Sequence, residues 1–226
     1  MNNLEIMKPR NFLMATVKTL GELLIVLTLC AAPVHAQTTL YENDFEKAAV
    51  GQVPAEFLVL DGDFSVKESD GNKYLELPGA PLETFGLLFG PTTNAGVCVS
   101  ARMYGTAKGR RYPRFSVGLN GPSGYKLSVS PQIGAIEIFK GDEALTSVPF
   151  AWKSGTWTML KLRVRFVGDN LWKIEGKAWR ESEPEPVIWM ISQEEKTAPH
   201  PGRASLWGAP YSGTPIRFDD ILLTSE

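Results

Sequence analysis

Glu42, Asp44 and Glu46 stand at alternate positions of one short stretch. In an extended chain, residues i, i+2 and i+4 share a face. The three carboxylates then line one side of an opening strand. Carboxylates held in pairs do acid–base and nucleophilic work, or they ligate cations, or they accept hydrogen bonds from turn amides. A second acidic pair, Asp219-Asp220, lies between Phe218 and Ile221 near the C-terminus. Burying an unpaired carboxylate is costly, so this pair calls for a cation, an arginine or backbone donors.

The basic residues make a second constellation. Arg102, Tyr104, Arg114, Lys161, Arg163, Arg165 and Trp179 have the parity of polar positions in candidate strands. Ser100, Ser116, Asn120, Lys126, Ser128, Lys173 and Lys177 share that parity. If these strands lie in one sheet, one face carries arginines, hydroxyls and a ring. Aromatic rings stack on sugar faces, and arginine forks onto carboxylates or sulfates. The face then fits a polysaccharide or other glycan, preferably an anionic one. The plainer reading is a solvated sheet face, which is commonly rich in Lys, Arg and Ser.

Other chemistries find no support. His200 is the single histidine beyond residue 36, and a zinc site needs three or four ligands. No Ser-His-Asp arrangement and no phosphate-cradling glycine loop is present.

The elements that must position these groups are strands. Candidates are 40–46, 57–60, 64–68, 73–77, 84–89, 97–104, 114–120, 125–130, 135–140, 145–148, 157–167, 171–180, 187–191, 203–207 and 216–224. Leu160, Leu162, Val164 and Phe166 alternate with Lys161, Arg163 and Arg165, the period of a sheet with one core face. Turn signals such as Asp70-Gly71 and Gly168-Asp169-Asn170 separate the runs, and many short strands with regular turns imply a sandwich or barrel. Trp172 has core parity, whereas Trp157 and Trp179 have the parity of charged neighbours.

Residues 1–36 read as an export signal. Lys8, Arg10 and Lys18 precede an apolar run from Leu23 to Ala32, and Val34-His35-Ala36 supplies small residues at a cleavage site. The run is shorter than the roughly 20 apolar residues of a membrane span. Cys30 is the alternative, as a lipid anchor. Cleavage removes three basic and two acidic residues, taking 23 and 25 to 20 and 23, a net charge of −3. Such a balance argues against nucleic acid as partner. Residues 37–226 suit a single domain, in which Cys98 is alone and reads as a small buried hydrophobe.

Three pieces of the chain together resemble the concanavalin A-like (laminin G-like) jelly-roll superfamily. They are Tyr41–Glu46 with Val50–Pro54, the pair Gly155–Val164 and Trp172–Lys177, and the closing Gly202–Trp207 with Phe218–Ile221. The resemblance implies an all-β, two-sheet antiparallel sandwich whose first and last strands lie side by side. It implies a structural calcium ion held by Asp44 or Glu46 with Asp219 or Asp220, as in jelly-roll carbohydrate-binding modules. The alternative is that these carboxylates cap amides and pair with Arg217 or Arg203. The Glu-x-Asp-x-Glu stretch also resembles the catalytic strand of laminarinase-type glycoside hydrolases. There two carboxylates work about 5–5.5 Å apart for retention. Glu42 and Glu46 would lean together across about 13 Å of strand, at about 3.3 Å per residue. The Gln-x-His strand of alginate-lyase-type members is replaced here by Gln132-Ile133-Gly134. The expected role is therefore non-catalytic carbohydrate binding outside the cytoplasm. The alternatives are a glycan-cleaving hydrolase using Glu42, Asp44 and Glu46, and an adhesive module that binds a protein.

Overall fold

Alternating apolar and polar residues build fifteen strands, and no helix forms among the described residues, 37–80 and 83–226 of a computed structural model. In chain order these are β1 (Thr39–Asn43), β2 (Leu58–Asp61), β3 (Ser65–Ser69), β4 (Asn72–Leu77) and β5 (Phe85–Thr93). Then come β6 (Val97–Tyr104), β7 (Arg114–Leu119), β8 (Tyr125–Ser130), β9 (Ala135–Lys140) and β10 (Glu143–Pro149). The last five are β11 (Trp157–Gly168), β12 (Leu171–Arg180), β13 (Ile191–Glu195), β14 (Gly202–Ala209) and β15 (Ile216–Ser225). A strand forms at each expected position but one. The segment expected at 187–191 pairs instead at Ile191–Glu195. The expected export segment, with Cys30, lies outside the described residues.

The strands make two antiparallel sheets. One has the order β13-β12-β11-β6-β15-β4-β3, with β1 also on β15; the other runs β10-β9-β8-β7-β14-β5-β2. This is the expected two-sheet jelly-roll sandwich. Strand β15 has two partners along one edge: β4 beside Ile216–Phe218 and β1 beside Ile221–Thr224. Between them β15 bulges at Asp220, whose φ is 47°. First and last strands thus lie side by side, as the resemblance implied.

Period two decides which residues enter the core. On β11, Leu160, Leu162 and Val164 are fully buried, while Lys161, Arg163 and Arg165 face outward. Phe89, Phe115, Leu127, Ile136 and Phe218 fill the space between the sheets, each contributing about 1.5–3 kcal/mol of transfer free energy. The hairpin turns at Asp70-Gly71 and Asp169-Asn170 have positive φ at both central residues, the geometry that matches strand twist in a two-residue turn. Phe166 departs from its expected inward parity. It lies near the hairpin tip, 55% exposed and 5.1 Å from the Trp172 ring. Trp172 is accordingly half-exposed rather than core.

One expectation about placement is overturned. The five middle strands do not share a sheet. Strands β6, β11 and β12 belong to the eight-stranded sheet, whereas β7 and β8 belong to the seven-stranded one. The chain crosses the sandwich after β6 and returns after β10, so strands adjacent in sequence present their polar faces on opposite sides of the molecule.

Candidate functional site

Six of the seven residues expected to bind ligand lie on the outer face of the eight-stranded sheet: Arg102, Tyr104, Lys161, Arg163, Arg165 and Trp179. That face is neutralised from within. Arg102 Nη2 donates to Asp219 at 2.6 Å, its Nε lies 2.9 Å from Asp220, and it also pairs with Glu181. Arg163 and Arg165 converge on Glu175 at 2.8 and 2.9 Å. Burial opposes the Glu175 charge, but hydrogen bonds from Arg165 and Arg163 outweigh it and hold the carboxyl below its usual range.

The segment between β12 and β13 supplies the remaining countercharge. Glu185 takes Lys161 at 3.0 Å and Lys177 at 2.6 Å, and Lys177 also donates to the Pro186 carbonyl at 2.7 Å. Trp189 packs on Arg163, with the guanidinium carbon 4.2 Å from the ring centroid. Trp179, expected to be exposed, is 8% accessible. Tyr104 lies against Trp157 at 5.6 Å with the Arg217 guanidinium over it at 5.3 Å. Around these cations the face expected to be open and basic is charge-balanced by the chain's own carboxylates.

The acidic residues meet only in part. Strand β1 ends at Asn43 and Phe45 has φ of 58°, so Glu42, Asp44 and Glu46 do not continue along one strand face. Glu42, Asp44 and Asp220 line a cleft of about 570 Å³ with Lys47, Ser100 and Met159. Glu46 instead accepts the Lys73 amide at 2.9 Å, and Asp44 accepts the Glu46 amide at 3.1 Å.

Of the carboxylates expected to hold calcium, Asp219 is already engaged. Asp219 is fully buried, and it accepts from Arg102, from Asn72 at 2.9 Å and from the Asp220 amide at 2.8 Å. Calcium takes six to eight oxygens, and here it would displace a guanidinium. Among the described residues no group of three His, Cys, Asp or Glu side chains is placed to hold a metal. The partner of Asp219 is Arg102, not Arg217 or Arg203. Cys98 is buried as expected, its thiol pushed up to about 12 by desolvation.

The seven-stranded sheet presents a different outer face. Its register places Trp207 of β14 beside Ser116 of β7 and Ser128 of β8, with Gly118 and Lys126 one pair along and Phe139 of β9 beyond. Arg114, the seventh predicted residue, lies at the end of this row. With Thr84 and Asp142 at the rim, these residues line a cleft of about 220 Å³.

Gly86 shapes the cleft floor. A Cβ there would collide with Cε3, Cζ3 and Cδ2 of Trp207, so the indole lies on the bare backbone of β5. Its Nε1 donates to Ser205 Oγ at 2.9 Å, which fixes the ring. The hydroxyls of Ser116 and Ser128 share one hydrogen bond of 2.6 Å. Lys126 is only 9% accessible, with Nζ 4.7 Å from the Trp207 centroid. Burial lowers its pKa below the usual lysine value, against the pull of Asp142. The Arg114 guanidinium lies 5.6 Å from the Phe139 ring and 5.9 Å from that of Tyr211.

Sequence reasoning placed Ser116, Lys126 and Ser128 on a polar face but assigned that face to the wrong sheet, and it did not assign a facing to Trp207. One signal was present. Gly86, Gly118 and Gly208 interrupt otherwise apolar strands, and a glycine inside a strand marks a close approach.

No protein-family description and no curated protein matches this chain. Solved structures share its architecture. The carbohydrate-binding module CBM66 from Bacillus subtilis superimposes with a TM-score of 0.52 at 11% identity, over 75% of this chain and 96% of that one. The carbohydrate recognition domain of Emp46p gives 0.55 at 11% identity, over 82% and 96%. The catalytic domain of a glycoside hydrolase family 131 protein from Coprinopsis cinerea gives 0.51 at 9% identity, over 82% and 93%. At such identities the likeness is one of fold: a jelly-roll sandwich that appears in binding and catalytic proteins alike. Among the described residues no helix is long and apolar enough to cross a membrane.

Proposed function

We propose that this chain is an exported, non-catalytic carbohydrate-binding protein of the concanavalin A-like class. We place its binding face on the outer side of the seven-stranded sheet. The observation that carries the reading is the cleft over Trp207. An indole laid on Gly86, a lysine, an arginine and a pair of serine hydroxyls converge on one open depression. Sugar recognition needs this mixture, an apolar surface for the ring face with donors for the hydroxyls. The cleft's one lining carboxylate, Asp142, lies 3.4 Å from Lys126, whereas glycoside hydrolysis ordinarily uses two facing carboxyl groups.

A glycan array with the purified protein tests the reading. Binding without release of reducing sugar is expected, and Trp207→Ala should weaken it at least about tenfold, which is about 1.4 kcal/mol. Gly86→Ala, which lifts the ring without removing it, should weaken the same interaction. Arg163→Ala on the opposite face should leave it unchanged. Absence of binding to every glycan sinks the reading.

The cleft shared by Glu42, Asp44 and Asp220 favours a second reading, a glycan-cleaving enzyme. Release of reducing sugar that disappears in Glu42→Gln or Asp44→Asn would put that reading in place of the first.

A further inference from the structure

We propose that the cleft over Trp207 receives an anionic substituent of the glycan, a carboxylate or a sulfate, held between Arg114 and Lys126. The inference rests on the carbohydrate-binding reading and goes beyond it in naming the ligand's charge.

Every other half-buried or buried cation among the described residues has a fixed oxygen partner. Arg102, Lys140, Lys161, Arg163, Arg165, Lys173, Lys177, Arg180 and Arg217 each have a carboxylate within 4 Å, and Lys73 and Arg203 donate to backbone carbonyls. Arg114 has neither. Its guanidinium is held by aromatic rings, Phe139 and Tyr211, which orient the planar fork and leave its five donors free. Lys126 has one carboxylate neighbour, Asp142, at a loose 3.4 Å on a fully exposed side chain.

Charge completes the argument. Arg114 and Lys126 line one small cleft and repel each other. The Lys126 ammonium is disfavoured first by burial and further by the arginine. Asp142 offsets this for Lys126, but from a fully exposed side chain. An incoming carboxylate or sulfate would relieve the repulsion and accept the guanidinium fork. The Ser116–Ser128 pair beneath has two hydroxyl hydrogens and one shared bond, so one hydrogen remains to donate to the same group.

The test uses matched polymers. Calorimetric titration compares polygalacturonate with its fully methyl-esterified form, and dextran sulfate with dextran. The charged member of at least one pair should bind about tenfold or more tightly, and which pair does so separates carboxylate from sulfate. Arg114→Ala and Lys126→Met should each remove most of that preference. Lys161→Met, on the far face, should not. Equal binding of charged and neutral members, lost in Trp207→Ala, overturns the anion proposal and leaves the carbohydrate reading standing. So does a charge preference that survives Arg114→Ala. Failure of all four polymers on a correctly folded protein overturns the anion proposal, while the carbohydrate reading falls only if the whole array is also silent.

Discussion

The two outer faces of the sandwich are built from similar residues and spend them differently. On the eight-stranded sheet, Arg102, Lys161, Arg163, Arg165 and Lys177 meet Asp219, Glu181, Glu185 and Glu175. Each charge there has its complement in the same chain, and the segment 181–190 lies over much of the network. On the seven-stranded sheet, Arg114 and Lys126 sit against aromatic rings, with one loosely placed acid beside Lys126. Arginine count therefore says little about where a ligand binds. What distinguishes the faces is whether the chain supplies its own anions.

The largest expected effect separates structural from ligand-facing arginines. Arg102→Met leaves Asp219, which is fully buried, without its guanidinium. Breaking a buried pair from one side costs about 3–5 kcal/mol. For a domain of this size that lowers the melting temperature on the order of 10 °C. Arg114→Met should cost no more than about 0.5 kcal/mol, since nothing fixed depends on it. Urea unfolding of the two variants measures both. Equal losses would erase the contrast between the faces.

Acid should reveal the same contrast on a smaller scale. Glu175 has its folded pKa held below the unfolded value of about 4.3. Its contribution is therefore fully present above that pH and disappears as pH falls through the folded pKa. Glu175→Gln should cost about 1–3 kcal/mol at pH 7. The deficit relative to the wild type should shrink toward pH 3, in matched denaturant melts. A deficit of the same size at both pH values would mean that packing, not charge, keeps Glu175 in place.

Most of the fold was legible because period two is written locally. Leu160, Leu162 and Val164 alternate with basic residues whatever the partner strands are, and Asp70-Gly71 marks its hairpin without help. Strand order is not written locally. Nothing in Val97–Tyr104 says that its neighbours are β11 and β15 rather than the β7 that follows it. That single ambiguity put Arg114 and Arg163 on one imagined face. Strand β13 was displaced for a related reason. Val187 and Ile188 look like strand residues, yet they are highly exposed on the segment whose Glu185 and Trp189 are anchored to the sheet. The partners of Asp219 could be named by type from burial cost alone. Which arginine served depended on strand pairing, which sets Arg102 of β6 directly opposite Asp219.

The smallest expected effect has the most informative sign. Lys126 contributes a cation–π contact to Trp207 at 4.7 Å, worth about 0.5–2 kcal/mol. Its lowered pKa means that desolvation, with the repulsion of Arg114, outweighs the pull of Asp142. With the folded pKa below the unfolded value of about 10.4, the charge costs stability at neutral pH, and that cost fades as pH rises through the folded pKa. Lys126→Met keeps the aliphatic stem over the indole and removes the charge. Its melting temperature at pH 7 should therefore rise, by about 2–4 °C for each kcal/mol gained, and the gain should narrow as pH approaches the lysine range. A residue whose replacement stabilises the fold is not kept for stability, which fits a role in binding. A fall in melting temperature would instead make Lys126 a structural cation like Arg102, and the two faces would no longer differ in kind.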